Sequence, residues 1–94
     1  MSDEKALKAR VFGRVQGVSF RAWTRETAST LGLAGWVRNE SDGSVLALLR
    51  GPVPQVEAML ARLHEGPEAA QVDTVDTYEV DLDRTAPLGF EILR

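Results

Sequence analysis

Two residues and one turn in this chain have the types and spacing that chemistry would need: Arg21, Asn39 and the glycine-containing stretch just before the arginine. Val11, Gly13 and Val15 alternate with Phe12 and Arg14, the period of a strand with one buried face, and the alternation stops at Gln16-Gly17. From Phe20 the apolar spacing becomes that of a helix. A strand that passes through a short glycine turn into a helix points several unpaired backbone N–H groups, and the positive end of the helix dipole, at one spot. Such a spot attracts an anion. Arg21 falls in the first helical turn, where a fixed cation opposes the dipole, and its planar fork matches a phosphate or a carboxylate. The same residues also suit an ordinary tight β-to-α connection with Arg21 pointing into water. The fuller phosphate-loop pattern GxxxxGK[ST] is missing.

Asn39 leaves two roles open. It ends a strand-like run just before a turn, where its side chain could bond the loop backbone, or it could hold a water or a substrate oxygen with a neutral donor and acceptor. Ser19 sits where a helix N-cap belongs, and its hydroxyl could accept from an early helical N–H; capping or a plain loop position are its two readings. A nucleophilic role for Ser19 has no support, because the single histidine, His64, is far away in sequence and no nucleophile elbow surrounds the serine. His64 and Arg62 fall in the last turn of a second helix, where a cation suits the dipole. Trp23 lies on the apolar stripe of the first helix and reads as packing.

The elements that must position these residues follow from periodicity. The first strand begins near Ala6 or Leu7, with Ala9, Val11, Gly13 and Val15 on its buried face and Lys8, Arg10, Phe12 and Arg14 on the other. Gly13 inside a strand predicts a close approach by a neighbouring element. Phe20, Trp23, Thr24, Thr27, Ala28 and Leu31 build one helical stripe, ended by Gly32. Leu33 to Asn39 and Ser44 to Gly51 are strand-like runs joined by a loop ending Asp42-Gly43, a hairpin signal. After Pro52-Val53-Pro54, the residues Val56, Met59, Leu60 and Leu63 form a second amphipathic helix, stopped by Gly66-Pro67. Val72 to Asp83 alternates as a strand, its acidic residues forming a solvated face, and Phe90 to Leu93 makes a short final strand. The order is βαββαβ plus a small terminal strand. That order predicts an α+β, ferredoxin-like split βαβ fold, an antiparallel sheet with both helices packed on one face and the first and third strands central.

Composition bounds the rest. The chain of 94 residues, 44% hydrophobic, is read as one domain over 1–94 with a single core. It has no cysteine, which removes disulfides, thiolate metal sites and cysteine nucleophiles together. Met1 to Lys5 is polar, and no run approaches the roughly 20 apolar residues of a membrane span. A soluble, cytoplasmic protein is expected. A net charge of −3 and a pI near 5.1 argue against a broad nucleic-acid surface while leaving room for one local anion site.

With these residues in view, the chain resembles the acylphosphatase family over nearly all of its length. Val11 through Arg21 carry the motif V-x-G-x-V-Q-G-V-x-F-R. Gly35 through Val45, with Gly51 six residues later, carry G-W-V-x-N-x-x-x-G-x-V followed by glycine. Position 19, often glycine in related sequences, is Ser19 here, which bears on loop flexibility. The resemblance implies hydrolysis of acyl phosphates, the mixed anhydrides of carboxylic and phosphoric acid, to a carboxylate and inorganic phosphate. It implies that Arg21 and Asn39 are the catalytic pair, Arg21 binding the phosphoryl group and Asn39 positioning the attacking water. The backbone amides of Gln16, Gly17, Val18, Ser19, Phe20 and Arg21 would cradle the phosphate, with no metal and no cofactor. A monomer acting on a small molecule, with no nucleic-acid or membrane partner, is the corresponding expectation.

The chemistry is consistent with those roles. An acyl phosphate carries a good leaving group, so its hydrolysis needs in-line alignment of water and stabilisation of the phosphoryl oxygens more than a strong acid. The alternative is a non-catalytic anion- or RNA-binding module of the same fold, using the open sheet face on which Phe12 lies. Its acidic balance and lack of an aromatic-rich strand motif stand against RNA.

Overall fold

The computed structural model describes residues 3–82 and 88–93. β1 (Glu4–Arg14) leads to α1 (Phe20–Thr30), then β2 (Ala34–Asn39), β3 (Val45–Pro52), α2 (Val53–Glu65), β4 (Gln71–Val80) and β5 (Phe90–Ile92). The five strands form one sheet in the order β4-β1-β3-β2-β5, with β1 and β3 inside, as the pattern predicts. β1 pairs antiparallel with both β3 and β4, and β2 with β3. The short β5 departs from the antiparallel expectation, since it joins the free edge of β2 in parallel, Trp36 opposite Glu91. β1 and β2 run the same way, β4 against them and β5 with them, so β4 ends and β5 begins at the same end of the sheet, on opposite edges. Asp83, the last residue of the predicted fourth strand, lies outside the described residues.

Both helices cover one face. α1 lies on β2 and β5, and α2 on β1, β3 and β4. Leu7, Ala9 and Val11 point from β1 into the core beneath them, with Val37 from β2 and Val45, Ala47 and Leu49 from β3. Val56, Met59 and Leu63 are fully buried on α2. Helices of this length are marginal alone, so it is this buried stripe, at about 1.5–3 kcal/mol per side chain, that holds α2 in place. Trp23 packs on the core with its ring 5.4 Å from that of Phe20. His64 Nδ1 donates to the Leu60 carbonyl (2.9 Å) at the exposed end of α2. No helix among the described residues is long and apolar enough to cross a membrane.

Gly13 behaves partly as expected. The close neighbour is real, for a Cβ at residue 13 would sit 2.2 Å from the Gln71 carbonyl oxygen of β4. Yet Gly13 is exposed rather than on the buried face, because the β1–β4 register shifts between Phe12 and Gly13 and its φ is 132°. The shift leaves Asp73 of β4 without an opposite residue, and Val15, two residues on, is buried in the core.

Candidate active site

The turn after β1 and the end of β2 meet at the same end of the sheet. Val15, Gly17, Ser19, Phe20, Arg21, Ala22, Asn39 and Ile92 line a cleft of about 200 Å³. Arg21 and Asn39, 18 positions apart in sequence, thus open on one space. Gly17 takes a φ of 75°, available to glycine at no steric cost, and this bends the chain from strand to helix within a few residues.

The first helical hydrogen bond runs from the Trp23 N–H to the Ser19 carbonyl at 3.0 Å. The amides of Phe20, Arg21 and Ala22 therefore precede the helix's internal ladder and have no acceptor within it. No acidic side chain occupies the first turn of α1. The positive end of the dipole and the Arg21 guanidinium act on the cleft together. Arg21 is half-buried, and its Nη1 donates to the backbone carbonyl of Leu93 (3.3 Å). One arm of the fork is thereby anchored beyond β5.

Of its two readings, Ser19 takes the plain loop position. It occupies the N-cap position, but in the left-handed conformation (φ 60°, ψ 24°) and with no side-chain capping bond. Among the described residues it is the one non-glycine with positive φ. Gln16 and Val18 do not line the cleft. The Gln16 side chain turns to the β2–β3 hairpin, its Nε2 donating to the carbonyls of Glu40 (2.8 Å) and Ser44 (2.9 Å), and Val18 packs on the core. Any part they have in an anion cradle falls to their backbone amides.

Asn39 is half-buried, and its Oδ1 is shielded from solvent without a hydrogen-bond donor among the described residues. The loop-backbone bond that would have been its ordinary structural use is made instead by Asp42, whose Oδ1 accepts from the Ser44 N–H at 2.9 Å and the Ser44 hydroxyl at 2.5 Å. The Ser44 hydroxyl first, and then its N–H, hold the Asp42 carboxyl below its ordinary value of 3.8. Arg10 and Arg38 flank the same turn, both donating to the Glu40 carboxylate, at 3.3 and 2.9 Å.

Sequence reasoning missed Val15, Ala22 and Ile92 as lining residues, and the Leu93 carbonyl as a partner of Arg21. On the opposite, helix-free face, Phe12 is half-buried. The Trp36 ring is occupied by its own cations, with the Arg38 guanidinium at 4.8 Å and the Lys8 ammonium at 5.7 Å.

A model of the acylphosphatase family matches residues 7–92. An acylphosphatase of Mesorhizobium japonicum is 53% identical over 94 residues, covering 99% of this chain and 99% of the relative. The structure of an acylphosphatase from Coxiella burnetii superposes with a TM-score of 0.88 at 34% identity, covering 97% of this chain and 94% of its own. That of an acylphosphatase from Bacillus subtilis gives 0.89 at 30% identity, covering 95% and 98%. The chain belongs to the acylphosphatase family. The reading of the chain as an enzyme thus stands over the binding-module alternative.

Proposed function

We propose that this cleft hydrolyses acyl phosphates to a carboxylate and inorganic phosphate, with Arg21 and the loop amides holding the phosphoryl group and Asn39 orienting the water. The observation that carries the proposal is that Arg21, the turn residues Gly17, Ser19, Phe20 and Ala22, and Asn39 line one small cleft. Amides and guanidinium are rigid, positively polarised donors, suited to the negative charge spread over the three phosphoryl oxygens as the P–O bond to the acyl group breaks. The Asn39 Oδ1 needs a donor, and a water can supply one while its own oxygen lone pair faces phosphorus. The departing carboxylate is a weak base and leaves without a proton from the enzyme, and the attacking water's proton passes to a phosphoryl oxygen to give dihydrogen phosphate, so a site free of histidine suffices.

The same reading takes the chain as one domain, a cytoplasmic monomer acting on a small molecule, without a metal or other cofactor. Purified protein should turn over benzoyl phosphate and acetyl phosphate, and keep doing so in excess EDTA. A folded protein that hydrolyses neither would overturn the proposal, and activity lost with EDTA would overturn its metal-independence.

A further inference from the structure

We propose that the side chain of Gln16 is a positioning residue that sets the separation between the phosphate-holding turn and Asn39. The inference rests on the water-orienting role of Asn39 proposed above. The Gln16 carboxamide has two N–H donors on Nε2, and they go to the carbonyls of Glu40 (2.8 Å) and Ser44 (2.9 Å). These carbonyls already close the hairpin turn, the Ser44 oxygen accepting from the Glu40 N–H (2.9 Å) and the Glu40 oxygen from the Gly43 N–H (3.1 Å). Each carbonyl therefore receives two donors, its full capacity. Gln16 is fitted to this turn and to no group in the cleft.

The two ends of the clamp are the two halves of the site. Gln16 immediately precedes Gly17 of the anion turn, and Glu40 immediately follows Asn39. The hairpin end is itself a rigid body, closed by those backbone bonds, by Asp42 on Ser44, and by Arg10 and Arg38 on the Glu40 carboxylate. In-line attack requires the water and the phosphoryl group to be held to a fraction of an ångström. Removing the Gln16 donors would release that distance while leaving the Arg21 fork, the turn amides and Asn39 in place. Turnover should suffer while ground-state phosphate binding does not.

Gln16→Met keeps the length of the side chain and removes both donors. Expected is a fall in kcat for benzoyl phosphate of about 10- to 100-fold, the scale of a small misplacement, with inhibition by inorganic phosphate nearly unchanged. In an Asn39→Ala background the same substitution should cost almost nothing further, because the group it positions is gone. Equal costs in both backgrounds, or a loss of phosphate affinity matching the loss of kcat, would overturn the inference. Should Asn39→Ala alone turn over like the wild type, the water-orienting role fails, a result distinct from additivity between two damaging changes.

If Gln16→Met does not fold, Gln16→Glu provides the reading. Ionised, it presents oxygens to two carbonyls; protonated, it regains one donor. Its kcat relative to wild type should rise as pH falls through the glutamic acid range. Glu40, Asp42, Arg10 and Arg38 share the turn with this position, so variant and wild type are compared at each pH and only the difference between them is read. A ratio constant with pH would overturn the inference.

Discussion

Replacing Ser19 by glycine should stabilise this protein. Ser19 has φ 60° and ψ 24°, and its hydroxyl makes no capping bond. A non-glycine residue in that region costs about 1–2 kcal/mol, because Cβ crowds the following carbonyl oxygen. Glycine removes the cost, but its freer unfolded chain takes back about 0.4–1 kcal/mol. The balance is a gain of about 0.5–1 kcal/mol, or a rise in Tm of roughly 2–8 °C for a domain of this size. Ser19→Ala separates the two contributions, since it keeps Cβ and removes only the hydroxyl, and should change stability by less than about 0.5 kcal/mol. Thermal melts of the three proteins at neutral pH are sufficient. If Ser19→Ala costs about 1 kcal/mol, the value of a lost cap, and Ser19→Gly is also destabilised, the hydroxyl is capping α1 and the left-handed geometry is not the controlling feature.

Arg21→Ala should lower kcat/KM for benzoyl phosphate by about 10²–10³ or more, and weaken inhibition by inorganic phosphate, with the fold retained. Arg21→Lys should also fail, because a compact tetrahedral ammonium lacks the planar fork that reaches the Leu93 carbonyl with one arm while presenting parallel donors to phosphoryl oxygens; near-wild-type kinetics for it would contradict the anchored-fork geometry. Asp42→Asn should lower Tm at neutral pH. The Asp42 carboxyl is held below 3.8 by the Ser44 hydroxyl and N–H, so the folded state favours its ionised form. That stabilisation is present above pH 3.8 and disappears as pH falls through the lower folded value. The Tm gap between the two proteins should therefore close in acid, and a gap that widens there would contradict the assignment.

What the sequence disclosed and what it withheld divide along one physical line. Local periodicity and turn chemistry gave the strand-turn-helix around Gly17, the hairpin at Asp42-Gly43 and both helices, since each is decided by residues a few positions apart. Arg21 and Asn39 met in one cleft because β1 and β2 run the same way and finish at the same end of the sheet, which follows from element order. Long-range facts were not legible. Nothing local announces that β5 pairs in parallel with β2, so Ile92 and the Leu93 carbonyl were missed as parts of the site. Gln16 was visible as a member of the turn, but its two acceptors lie 24 and 28 residues away. Ser19 stayed undecided between cap and loop for a different reason: serine is a good N-cap by type, and only the left-handed backbone at that position, invisible in the residue type, leaves its hydroxyl without a capping bond.

The most direct test of the division of labour between binding and attack is Asn39→Ala, with turnover of benzoyl phosphate and inhibition by inorganic phosphate measured on the same preparation. A carboxamide that only orients water predicts kcat lower by about 10² or more with phosphate affinity held near the wild-type value. Wild-type turnover in the folded variant, or phosphate affinity falling in step with kcat, would contradict it.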